Sequence, residues 1–152
     1  MLLLHADSRL SPGWDERVRE ALADPGVAGG AFRLRFDERG RAFRLLELGV
    51  RARVALFGLP YGDQAIFVRR RVLEAIGGIP AVAFMEDLDL VDAIRRQGRL
   101  RVLDLPVVTS GRRYRQAGLL RTVVLHLLAA LLWSLGVERG RIERLVRGRA
   151  GA

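Results

Sequence analysis

Cysteine is absent from the 152-residue chain, which excludes disulfide staples, thiolate zinc sites and thiol catalysis, and is compatible with a reducing compartment. Lysine is absent too, so all 26 basic residues are arginine. A bias this complete reflects GC-rich coding rather than a functional device, and the net charge of +9 by itself is weak ground for a nucleic-acid partner. Aromatic residues make up only 7% of the chain. Tyr114, alone among the clustered arginines, is too little for the stacking platforms of a single-strand RNA binder. No internal repeat or low-complexity tract occurs, and the opening Met1-Leu2-Leu3-Leu4 meets Asp7 too soon for the apolar region of a signal peptide. The longest apolar run, Thr122 to Val137, has sixteen residues. As a helix it would reach ~24 Å against the ~30 Å of a bilayer core, so a buried or membrane-surface helix fits better than a spanning one.

What is present is a chain half hydrophobic, long enough for one domain with its own core. The residues Met85-Glu86-Asp87-Leu88-Asp89-Leu90 set three carboxylates at the start of a predicted helix. Leu88, Val91 and Ile94, joined by Leu90, recur at helical spacing until Gly98, and Gly77-Gly78-Ile79-Pro80 breaks the chain beforehand. Glu86 and Asp87 then fall at the N-cap or first turn. There they serve either as ordinary partners of the helix dipole or as chemical groups. Asp92 can pair with Arg96 one turn on.

The remaining elements follow from periodicity. Leu2-Leu3-Leu4 reads as a buried, parallel-type strand that needs neighbours on both sides. Ser11-Pro12 opens a helix with a capping hydroxyl, and Trp14, Val18 and Leu22 form its core stripe. Phe32, Leu34 and Phe36 alternate with Arg33 and Arg35 in a strand over Ala31 to Phe36. A helix is predicted from Ala42 to Phe57, with Phe43, Leu46, Val50, Val54 and Phe57 on its inner face, ending at Gly58. The breaker-rich loop Gly58 to Gln64 is placed at the surface, where it can shape a pocket rim. Ala65 to Val68 reads as a strand, Arg70 to Ile76 as a short helix, and Leu100 to Leu105 and Val107-Val108 as strands. Beyond these the chain turns basic. Arg112, Arg113, Arg115 and Arg121 cluster, and Glu138 to Arg149 carries five arginines against two glutamates. Such clusters bind phosphate or anionic lipid, or are simply solvated faces. His126, inside the apolar run, reads as a core histidine.

Four of these stretches, in order and at their spacing, resemble the second half of the family 2 glycosyltransferases: Leu3-Leu4-His5-Ala6-Asp7-Ser8, then Gly62-Asp63-Gln64-Ala65-Ile66-Phe67-Val68-Arg69-Arg70, then Ile76-Gly77-Gly78, then Glu86-Asp87-Leu88-Asp89-Leu90 to Gly98. Thr109-Ser110-Gly111-Arg112-Arg113-Tyr114 is similar to the arginine-aromatic motif that follows the acidic helix in that family. The resemblance runs from about Leu2 to Val137. Within the family it resembles a bacterial subgroup of small members, some associated with arsenosugar biosynthesis.

The resemblance implies an α/β fold: a partial GT-A, Rossmann-like mixed sheet flanked by helices, with a C-terminal apolar helix. The implied activity is metal-assisted transfer of a sugar from a nucleotide-sugar donor to an acceptor hydroxyl, with inversion. Asp7 matches the last acid of the family's Asp-x-Asp motif, which holds Mn²⁺ or Mg²⁺ on the donor diphosphate. His5 stands where the first acid would be, a departure that leaves a hydrogen-bond donor or an imidazole ligand at that place. Asp87 matches the catalytic base and Glu86 its neighbour. Asp63 and Gln64 are expected to contact donor or acceptor, and Arg112, Arg113 and Tyr114 to hold the diphosphate, since arginine forks grip phosphate at two points.

The chemistry asks for such groups, because a metal held by a carboxylate neutralises the departing diphosphate while a second carboxylate takes the proton of the attacking hydroxyl. The units that bind base and ribose in that family have no counterpart ahead of Leu2, so residues 1–121 are expected to be the acceptor and metal-binding part of a truncated domain. Residues 122–152 are then the apolar helix and basic tail. The implied setting is cytoplasmic, with peripheral contact at the inner membrane. The competing reading is an arginine-rich module that binds nucleic acid or an anionic membrane without catalysis.

Overall fold

A stretch of strand that is apolar on both sides must be covered on both faces, and residues 27–32, all buried, are such a stretch. In the computed structural model, which describes residues 1–82 and 84–148, β2 (Val27–Phe36) and β4 (Arg99–Thr109) lie parallel. With β1 (Ser8–Leu10) and β3 (Phe67–Val68) they form one mixed sheet in the order β1-β4-β2-β3. Both edge strands run antiparallel to their neighbours. The chain divides into two compact units, Met1–Ser110 and Gly111–Ala152. That division falls earlier than the change in hydropathy after Arg121, because α5 (Arg112–Ala117) packs on α6 (Leu119–Ser134).

The alternation of Phe32, Leu34 and Phe36 with Arg33 and Arg35 is that of a strand with one wet face: the three apolar residues are buried, Arg35 is exposed and Arg33 half-exposed. The strand starts earlier than its alternation, at Val27, because Gly29 and Gly30 carry no side chain to mark it. β4 is one strand, not two. Pro106 lies where the register with β2 shifts, from Phe32↔Leu103 to Arg33↔Pro106. At such a bulge a missing N–H costs the ladder nothing.

Helices cover both faces of the sheet. On one side α1 (Trp14–Ala23) places Trp14, Val18, Ala21 and Leu22 against Phe32, Phe67, Leu103 and Val107. On the other, α3 (Arg70–Ala75) and α4 (Glu86–Gln97) bring Val72, Leu90, Val91 and Ile94 onto Ala28, Ile66 and Val68. Phe67 therefore enters one core and its neighbours Ile66 and Val68 the other, as strand alternation requires. α2 (Arg41–Phe57) starts one residue earlier than expected and buries Val50 and Val54, whereas Phe57 is exposed. Phe43 packs on Phe36 with ring centres 5.3 Å apart.

Three local expectations are corrected. Leu2 to Leu4 is not a buried parallel strand. It runs antiparallel along the free edge of β3, with the Val68 N–H donating to Met1 O at 3.0 Å, the Leu3 N–H donating to Ile66 O at 2.8 Å, and Leu4 exposed. Ser11 does not cap α1. Its hydroxyl donates to Pro106 O at 2.6 Å, and the helix begins after Gly13. The strand at Ala65 to Val68 shortens to Phe67–Val68, because Ala65 is left-handed with φ 50°. Arg69 at the end of β3 then ties the layers: its guanidinium donates to Val27 O of β2 at 2.6 Å, and to Leu22 O and, at 2.6 Å, Asp24 O, satisfying the last two at the C-terminal end of α1.

The second unit consists of α5, α6 and α7 (Arg139–Gly148), packed in succession. The apolar helix begins and ends earlier than the sequence placed it, and Val137 N–H closes its end on Leu132 O at 3.0 Å. No helix among the described residues is long and apolar enough to cross a membrane.

A side chain cannot be accommodated where β2 meets its neighbours: a methyl at Gly30 would stand 1.9 Å from Arg101 O and 2.5 Å from Phe67 Cζ. Gly30→Ala is therefore expected to cost about 3 kcal/mol. Gly49→Ala, in α2 with nothing within 4 Å, is expected to gain about 0.5–1 kcal/mol from helix propensity. Chemical denaturation of the two variants beside the wild type measures both.

Candidate active site

Three segments distant in sequence meet beside β3. The turn that carries His5 and Asp7 leads into β1, closed by the Ser8 N–H donating to His5 O at 3.0 Å. Asp7 thus precedes a strand rather than ending one. Because Ser8 pairs with Thr109, the last residue of β4, Asp7 still stands at the carboxyl end of the parallel pair, where open α/β sheets place ligands.

The second segment is a single 3₁₀ turn, Gly62–Gln64. Gln64 is 2% exposed and holds the turn in place: its Nε2 donates to Phe32 O at 3.0 Å, while its Oε1 accepts from Arg53 Nη2 at 3.1 Å and from Tyr61 N–H at 3.3 Å. With its amide engaged at both ends, Gln64 braces the loop from beneath.

The third segment is the start of α4. Met85 takes the left-handed conformation at φ 61°, which turns the chain so that Asp87 faces the 3₁₀ turn. Asp87 Oδ2 accepts the Gly62 N–H at 2.7 Å, and Oδ1 accepts from Leu88 N–H at 2.9 Å. Asp87 is therefore a first-turn residue rather than the N-cap, and its carboxylate joins two segments. Glu86 beside it is exposed. A methyl group at Gly62 would come within 2.8 Å of His5 Nε2 and 3.4 Å of Asp87 Oδ2. The absence of a side chain there is what lets the imidazole and the carboxylate close on one point.

Asp63 carries the electrostatic signature of the site. Its Oδ1 is fully shielded and has no hydrogen-bond partner among the described residues, although the residue keeps some surface. Burial is the main cause that pushes its carboxyl up to about 6; the Arg53 guanidinium and His5 oppose the rise, and the negative charges of Asp87 and Asp7 add to it. His5, Asp7, Asp63 and Asp87 thus share one electrostatic neighbourhood. Arg53 reaches it from α2, its guanidinium 3.4 Å from the centre of the Tyr61 ring, and its Nε is buried without a hydrogen-bond partner among the described residues. Burial, chiefly, also raises the Tyr61 hydroxyl, and the Arg53 charge partly offsets that.

Arg53 and Tyr61 are the residues that sequence reasoning passed over. The one available signal was an arginine set between the buried Val50 and Val54 of an amphipathic helix. Arg112 and Tyr114 belong to the second unit, where Tyr114 is buried and meets the His126 ring edge-on at 6.1 Å. The side chain of Arg113 lies outside the described residues. A concavity of about 500 Å³ in the second unit is lined by Trp133, Gly136, Val137, Glu138, Arg139 and Gly140, and holds none of the residues above.

Because the Asp63 carboxyl titrates higher when folded than in the unfolded chain, the folded state holds the extra proton between pH 4 and 6, and stability falls as pH rises through that window. Asp63→Asn, which cannot ionise, is expected to be more stable than the wild type at pH 7.5 by on the order of 1–3 kcal/mol. The advantage should vanish towards pH 4. Thermal melts of both proteins across this range give the comparison, and an advantage independent of pH would contradict the assignment.

Compared with family models, with curated proteins and with solved structures, the chain yields no match.

Proposed function

We propose that the first unit is the metal and acceptor side of a GT-A glycosyltransferase domain, transferring a sugar from a nucleotide-sugar donor to an acceptor hydroxyl with Asp87 as general base. The observation that carries the reading is the meeting of His5, Asp63 and Asp87 around Gly62, with Asp7 close enough to act on Asp63. These are residues of three of the stretches on which the family resemblance rests. A mixed sheet with a parallel central pair and helices on both faces is compatible with that fold.

Asp87 is fit for the base role in two respects. Its carboxylate is oriented by two backbone N–H groups, and with one bond to each oxygen it retains lone pairs for a substrate hydroxyl. His5 and the Arg53 guanidinium supply donor and positive character on the same side. Among the described residues no three histidine or acidic side chains form a self-contained metal site. Mg²⁺ and comparable ions bound with substrate phosphates need only one or two protein carboxylates. Asp7, exposed at the sheet end, suits that part. A bound Mn²⁺ or Mg²⁺ would neutralise charge on the departing diphosphate.

Asp87→Asn keeps the size of the side chain and one oxygen able to accept the Gly62 N–H but leaves the Leu88 N–H without its acceptor, so its stability is expected to fall by about 1–3 kcal/mol. Release of nucleoside diphosphate from the accepted nucleotide-sugar should fall at least ~100-fold, with donor affinity nearly unchanged. A rate within a few-fold of wild type would reduce Asp87 to a structural tie. Asp7→Asn should abolish the dependence of turnover on Mn²⁺ or Mg²⁺ without shifting the melting temperature; a metal response like that of the wild type would remove Asp7 from the site.

A further inference from the structure

The solvent side of α6 is inverted. In a helix at the surface of a water-soluble fold the exposed stripe carries charge, yet here it is Leu120, Val124, Leu127 and Leu131, continued by Leu135 at the C-cap, each between 51% and 75% exposed. Their spacing returns to one face every three or four residues, so they form a continuous apolar ridge. α6 spans 16 residues and α5 and α7 flank it in sequence. At ~1.5 Å per residue it is ~24 Å long, too short to cross a bilayer core but suited to lie in its surface.

We propose that this ridge docks the protein on an anionic lipid surface, with α6 lying in the plane of the interface and the surrounding arginines on the phosphate headgroups. Charge complementarity selects this occupant. The second unit holds nine arginines and two glutamates, which is seven of the nine net positive charges of the chain. Arg121 follows Leu120 on α6 and Arg144 lies on α7, both exposed. A leucine ridge beside guanidinium groups is the composition of an interfacial helix, in which apolar side chains enter the acyl boundary and cations meet anionic headgroups. A second copy of the chain would bring an equally positive surface against the first, and a nucleic acid offers nothing to cover the leucines.

The test is co-sedimentation of the full chain with vesicles of phosphatidylcholine alone and of equal parts phosphatidylcholine and phosphatidylglycerol. Binding is expected to be at least about ten-fold stronger to the anionic vesicles and to weaken with salt. Leu127→Glu/Leu131→Glu should reduce it to the level of the neutral vesicles while the melting temperature stays within a few degrees of wild type, because both positions face solvent. Arg121→Ser/Arg144→Ser, which leaves the ridge intact, should weaken anionic binding about ten-fold. Equal binding to the two vesicle types, or undiminished binding by the leucine variant, would overturn the proposal. So would a wild type that is dimeric by light scattering and becomes monomeric in the leucine variant, or a leucine variant that unfolds, since the ridge would then be covered by protein.

Discussion

The close approach of β2 to its neighbours at Gly29 and Gly30 is the constraint on which the first unit rests. At Gly30 a methyl group would collide with the carbonyl of Arg101 on β4, and at Gly29 one would stand 2.5 Å from the carbonyl of Phe67 on β3. With no side chain at either position, a parallel partner and an antiparallel partner both hydrogen-bond to the same stretch of β2. The carboxyl ends of β2 and β4 are thereby brought level. Phe36 pairs with Thr109, the Asp37 N–H donates to Thr109 O at 3.0 Å, and Ser8 pairs with Thr109 from the other side. Asp7 is held at that end as a consequence of the pairing of Ser8 with Thr109.

The acidic cluster is a local conflict that the surrounding core sustains. Three carboxylates share one neighbourhood, and their mutual repulsion, added to the shielding of Asp63, favours a retained proton there. The turns on either side of the cluster include the two non-glycine residues with positive φ among those described, Ala65 at 50° and Met85 at 61°. Each such residue costs roughly 1–2 kcal/mol. Ala65 is fully buried against Phe32 and Phe67, whose rings meet edge to face at 5.9 Å, so packing holds that backbone in place. Backbone strain and a raised carboxyl pKa thus coincide at one place, the combination on which the proposed site rests.

The two units divide the physical character of the chain between them. The first is close to neutral and holds both buried hydrophobic clusters, with Leu45, Leu48, Leu56 and Phe57 of α2 left exposed. The second concentrates the arginines and leaves an apolar ridge in contact with solvent. A charge total for the whole chain therefore describes neither unit.

The sequence by itself determined the elements whose periodicity is long and uninterrupted: α2, read from Ala42 to Phe57 and observed over Arg41–Phe57, α4 with its stop at Gly98, and the alternating half of β2. In each, the pattern of apolar residues states which face must leave water. Elements marked by glycine or proline were misread, because Gly29-Gly30 and Pro106 are breakers in isolation and become permissive only where a neighbouring strand comes close or a bulge relieves the ladder. Pairing was illegible for the same reason. Nothing local in Leu2-Leu3-Leu4 says that it lies along β3, and nothing local in Ser11 says that its hydroxyl goes to Pro106. Of the candidate site, the acids Asp7, Asp63 and Asp87 could be read from their motifs. Tertiary structure alone decided that Gly62 leaves room for His5 and Asp87 to converge, that Gln64 turns inward as a brace, and that Arg53 folds back from α2 onto the same loop, because each depends on how separate elements are folded onto a common sheet edge.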